Sequence, residues 1–98
     1  MSSRDTFVTS FLYDKDAAIA LEKVLSERGA VHNHGEYLSG MIHSGYNDYM
    51  DIYDECVKTL QAAGYDAALL PRFQLVIICD DWGTVEYTEH NLVVMSAQ

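Results

Sequence analysis

The segment His32-Asn33-His34-Gly35-Glu36 places a metal-ligating side chain at every second residue. On an extended backbone alternate side chains point the same way, so two imidazoles and a carboxylate there can reach one divalent cation. The pattern supplies no further strong ligand, and geometry rather than spacing decides a metal site, so the segment also reads as an exposed polar loop. Asp80 and Asp81 follow an apolar run, the position from which carboxylates hold Mg²⁺ in phosphoryl-transfer enzymes. No glycine-rich phosphate loop accompanies them, and Asp80-Asp81-Trp82-Gly83 suits a tight turn. There is neither a Gly-x-Ser-x-Gly elbow nor a dinucleotide-binding glycine turn. Cys56 and Cys79 sit in apolar patterns and read as small core residues. No motif implies a cofactor or supports catalysis.

Charge is the feature that departs from the ordinary. Fifteen acidic residues against six basic ones leave a formal net charge of −9. Such a field opposes direct contact with nucleic-acid phosphates or an anionic membrane and attracts a basic partner. Part of it is concentrated: Asp48, Asp51 and Glu55 fall at i, i+3 and i+7 of a helical pattern, with Asp54 beside them and Lys58 as the one compensating cation. Like charges at helical spacing repel by about 0.2–0.5 kcal/mol per pair, so a sequence selected for stability alone would intersperse more lysines. The plain alternative is a solvated helix face that keeps the protein soluble. Amphipathic aromatics rimmed by acid make anchors for a basic protein surface. The expected docking residues are therefore Tyr46, Tyr49, Asp48, Asp51, Asp54 and Glu55, joined by Asp80, Asp81 and Trp82, whereas Tyr53 is expected to pack inward.

The elements that must position these residues follow from periodicity. Thr6 to Tyr13 alternates as a strand, with Phe7, Thr9, Phe11 and Tyr13 on one side and Val8, Ser10 and Leu12 on the other. Asp14 is a helix N-cap and Asp16 lies in the first turn; the helix runs to Arg28 and stops at Gly29, its apolar face made by Ala17, Ala20, Leu21, Val24 and Leu25. After a linker from Ala30 to Gly35, Tyr37 to His43 reads as a strand with a bulge expected at Gly40. A second helix runs from Ser44-Gly45-Tyr46-Asn47 to about Ala63 and stops at Gly64. Asp66 to Leu70 reads as a short strand broken by Pro71. Phe73 to Cys79 is uniformly apolar, as in a central strand buried on both sides. Thr84 to Thr88 and Leu92 to Met95 then complete a three-stranded meander.

At 98 residues, 49% of them apolar, one domain is expected. The order β-α-β-α-β-β-β, with one apolar face per helix, predicts an α+β two-layer sandwich: two helices packed on one face of a mainly antiparallel sheet, in the ferredoxin-like manner with a C-terminal hairpin added. With no secretory or membrane-spanning pattern and only two cysteines, the expected location is the cytoplasm. Function is expected to be docking on a basic, nucleic-acid-binding surface of a partner protein. Small phage-encoded inhibitors, anti-CRISPR proteins among them, and toxin-immunity proteins act in this way. Two other readings stand beside it: a small metal-binding enzyme or domain using His32, His34 and Glu36, and a homo-oligomeric ligand-binding module in which the sheet's free face meets a copy of itself.

Overall fold

Asp14 begins the first helix as its spacing requires, its Oδ1 accepting the backbone N–H groups of Asp16 at 2.9 Å and Ala17 at 3.3 Å. The computed structural model describes residues 5–43, 49–79, 87–89 and 91–96. In chain order they form β1 (Asp5–Thr9), α1 (Lys15–Ser26), β2 (Gly29–Asn33), β3 (Leu38–Ile42), α2 (Tyr49–Ala62), a short 3₁₀ turn (Leu70–Arg72), β4 (Leu75–Cys79), β5 (Tyr87–Glu89) and β6 (Leu92–Ser96). The strands make one six-stranded sheet in the order β2-β3-β1-β4-β6-β5. All neighbours are antiparallel except β4 and β6, which run parallel.

Both helices lie on the same side, α1 over β2 and β3 and α2 over β6, and they pack against each other. The first four strands and two helices form a ferredoxin-like core, to which β5 and β6 are added as a hairpin. The two-layer α+β sandwich expected from the sequence is what the chain adopts. Phe7, Leu21, Leu25, Leu38, Ile52, Leu60, Phe73 and Ile77 are among the residues sealed between the layers.

Several local expectations are corrected. The linker after α1 is a strand: β2 pairs along its length with β3, and Gly29 opens it instead of capping the helix. A Cβ on Gly29 would lie 2.0 Å from the Met41 carbonyl oxygen, so pairing requires the bare backbone there. Gly40 makes no bulge, because the register runs through it unbroken to Phe7 on one side and Val31 on the other. Its Cβ would fall 2.0 Å from the Ala30 carbonyl oxygen and 3.1 Å from the Phe7 ring, which occupies the space a side chain would take. Residues 66–70 form turns held by Asp66, whose Oδ1 accepts from Ala68 N and whose carbonyl accepts from Leu69 N and Leu70 N.

The first strand ends at Thr9, not Tyr13. Ser10 N donates to Gln74 O and Leu12 N to Glu36 O, bonds that turn the chain out of the alternation, bury Leu12 and leave Phe11 and Tyr13 exposed. The C-terminal strands are not a meander either, since β6 inserts between β4 and β5. Finally, β4 is buried on one side only: Leu75, Ile77 and Cys79 face the helices, and Val76 and Ile78 lie half-buried on the far side. The second helix does end as expected, with Gly64 at φ 81° and Tyr65 N donating to Leu60 O, the left-handed stop that satisfies the last carbonyls.

Candidate functional site

The apolar arc of α2 buries Ile52, Cys56 and Leu60 and so turns Asp51, Asp54 and Lys58 outward. Asp51 and Asp54 are exposed one turn apart, and neither has an ion-pair partner among the described residues. Glu55 behaves differently. It lies on the flank of α2 facing the turn after α1 and is ion-paired with Arg28. Part of the acid expected for docking is thus neutralised within the fold. Tyr46, Asp48, Asp80, Asp81 and Trp82 lie outside the described residues.

Tyr49, expected at the edge of the packed layer, is half-buried there. Its hydroxyl donates to Oδ2 of the buried Asp5 at 3.0 Å and lies 3.2 Å from Cys79 Sγ. Having given its single proton to Asp5, the hydroxyl can only accept from the thiol. Asp5 and Cys79 are register partners on β1 and β4, so this trio ties the first turn of α2 to the sheet. Tyr53 packs inward as expected, stacked on Phe73 with ring centroids 6.0 Å apart. Burial, and secondarily the charges of Asp54 and Cys56, raise its phenol pKa. Burial also pushes the Cys56 thiol up to about 12, with Glu55 adding to the rise and Arg28 opposing it, so this cysteine is a core residue and not a nucleophile.

The His32-x-His34-x-Glu36 spacing does not assemble into a metal centre. Among the described residues no group of three His, Cys, Asp or Glu side chains is placed to hold an ion. The physical reason is the tight hairpin between β2 and β3. His34 N donates to Tyr37 O, Asn33 Oδ1 accepts from Gly35 N at 2.7 Å, and Gly35 takes φ 88°, so the chain leaves the extended form before Glu36. His34 is engaged elsewhere, its Nε2 at 2.7 Å from Ser39 Oγ and its ring stacked on Tyr37 at 4.4 Å. Asn33 Nδ2 in turn donates to Glu22 on α1 at 3.1 Å, which anchors the hairpin to the helix.

This end of the molecule carries a feature that sequence periodicity misplaced. Phe11 meets Tyr37 edge to face at 6.3 Å, and Tyr37 stacks on His34, making a chain of three rings at the surface. Beside it an open groove of about 540 Å³ is lined by Phe11, Leu12, Tyr13, Lys15, Gly35 and Glu36. Phe11 and Tyr13 continue the alternation of Phe7 and Thr9, which in sequence groups all four on one side of a longer strand. The signal available for correcting that was Ser10, a small polar residue in the run just where the strand stops.

No family model matches the chain, and no curated protein or solved structure matches it either. The described surface offers paired carboxylates on one helix and exposed rings at the opposite end of the sheet. No helix among the described residues is long and apolar enough to cross a membrane.

Proposed function

We propose that this protein is a small acidic binding module that docks, through the outer face of α2, on a basic surface of another protein. The observation that carries this reading is the pair Asp51 and Asp54, exposed on adjacent turns without ion-pair partners among the described residues, in a chain whose net charge is −9. Two carboxylates at that spacing repel each other slightly, and a cationic partner would turn that repulsion into attraction. A basic surface that otherwise holds nucleic-acid phosphates is the natural counterpart. Occupying it sterically is how phage-encoded inhibitors such as anti-CRISPR proteins, and immunity proteins, act as a class. The acidic patch is narrower than the sequence pattern suggests, because Glu55 is held by Arg28.

The test is capture of host proteins on the immobilised chain at about 50 mM and about 500 mM NaCl, compared with the Asp51→Lys, Asp54→Lys double variant. Basic proteins retained at low salt, released at high salt and lost by at least about tenfold with the variant support the reading, tenfold being about 1.4 kcal/mol of binding energy. Equal retention by both chains, or binding indifferent to salt, refutes it.

A further inference from the structure

The side of the sheet away from the helices contains no Asp, Glu, Lys or Arg on its five central and long strands, in a chain where 21% of residues are charged. Register defines two rows of side chains across it. One runs His32, Ser39, Val8, Val76, Val93 and the other Ala30, Met41, Thr6, Ile78, Met95. Val8, Val76, Ile78, Val93 and Met95 are half-buried, and Met41 is 37% exposed. The face continues past the end of β3, since Ser39 bonds His34, His34 stacks on Tyr37 and Tyr37 meets the 55% exposed Phe11.

An ordinary antiparallel sheet with one wet face alternates apolar and polar residues, whereas β4 reads Leu-Val-Ile-Ile-Cys and β6 begins Leu-Val-Val-Met. Those sequences are written for burial on both sides, yet among the described residues helices cover only one. We infer that a second copy of this chain supplies the missing layer, the two sheets packing face to face in a symmetric dimer.

The lack of charge on this face and its shape point to a copy as the occupant. Two chains of −9 repel, and this uncharged face is where they can meet without opposing their carboxylates. Its shape, short side chains on a twisted sheet, is complementary to another sheet of the same twist laid about 10 Å away. Five strands at about 4.8 Å and five residues at about 3.3 Å span roughly 400 Å² per copy, and the Phe11 and Tyr37 rim adds to that. The total, roughly 800–1,000 Å², belongs to weak, reversible association, so the dimer should dissociate in the micromolar range or above. A basic partner has nothing to recognise on this face, which makes the inference independent of the role proposed for α2.

Two measurements on the intact protein test it. Sedimentation from about 10 μM to about 1 mM should show monomer passing to dimer, and the dimer should gain at least about threefold in affinity from about 50 to about 500 mM NaCl as repulsion is screened. Salt is expected to act in the opposite direction on α2 docking, so the two proposals fail separately. Methyl NMR over the same range should shift Val8, Met41, Val76, Ile78, Val93 and Met95 and leave Leu21 and Leu25 in place. A folded Met41→Lys, Val76→Lys variant should remain monomeric. A monomer at every concentration, methyl shifts confined to other surfaces, or a dimer that persists in the folded variant overturns the inference. Should the variant not fold, the methyl shifts of the native chain decide.

Discussion

Asp5 and Tyr49 lie 44 residues apart in sequence, yet the tyrosine hydroxyl donates to the Asp5 carboxyl group across 3.0 Å. The bond joins the first residue of β1 to the first residue of α2 at the same end of the sheet, inside the boundary between the two layers.

Removing that hydroxyl takes a hydrogen bond from a carboxyl group with no access to water. Tyr49→Phe should therefore lower unfolding stability by about 1.5–3 kcal/mol, read from urea midpoints. The control is Tyr37→Phe, whose hydroxyl makes no hydrogen bond among the described residues; it should change stability by less than about 0.5 kcal/mol.

Glycine at two positions has different physical grounds, and substitution should separate them. Gly40→Ala drives a Cβ to 2.0 Å from the Ala30 carbonyl oxygen and should prevent β2 from pairing, with loss of the cooperative transition in circular dichroism. Gly35→Ala meets open space and bears only the strain of φ 88°, so a folded protein weakened by about 1 kcal/mol is expected.

Two phenylalanines of similar pattern should differ sharply. Phe73 is fully buried beneath Tyr53, and Phe73→Ala should cost about 3–5 kcal/mol. Phe11→Ala, measured at concentrations where the chain is monomeric, should cost less than about 1 kcal/mol because the ring is mostly in water. Equal losses would show that Phe11 belongs to the core after all.

Alkaline pH should weaken the fold through Cys56. Its folded pKa, near 12, exceeds the ordinary 9.0, so above pH 9 the unfolded chain releases a proton that the folded one retains. The stabilisation is whole below about pH 9 and falls by roughly 1.4 kcal/mol per pH unit as pH rises toward 12. The raised Tyr53 acts in the same direction above its ordinary 10.0. Urea titrations at pH 8 to 10 under reducing conditions should show the decline, and Cys56→Ala should flatten it.

Much of this architecture was legible in the chain because local chemistry and the fold agree. Asp14 as a cap, the apolar arcs of both helices and the Gly64 stop each depend on neighbours within a few residues, and each is found in place. The candidate site was legible only in part. Alternation identifies which residues share a side of a strand but not where the strand ends, so it groups Phe11 and Tyr13 with the buried Phe7 and Thr9 although both lie exposed beyond the strand. Asp5 and Cys79, which hold the Tyr49 hydroxyl, come from β1 and β4, and nothing in the local sequence around any of the three records that they meet.

By itself the sequence determined the two helices, most of the strands, the two-layer arrangement and the acidity of the outer surface of α2, since these follow from periodicity, capping and composition. Only the tertiary structure decided that β6 enters between β4 and β5, that Arg28 occupies Glu55, and that His32, His34 and Glu36 diverge at a hairpin. It also decided which side of β4 the helices cover. A run of apolar residues states how much surface must leave water, whereas the position of the helices states how much of it one chain can cover.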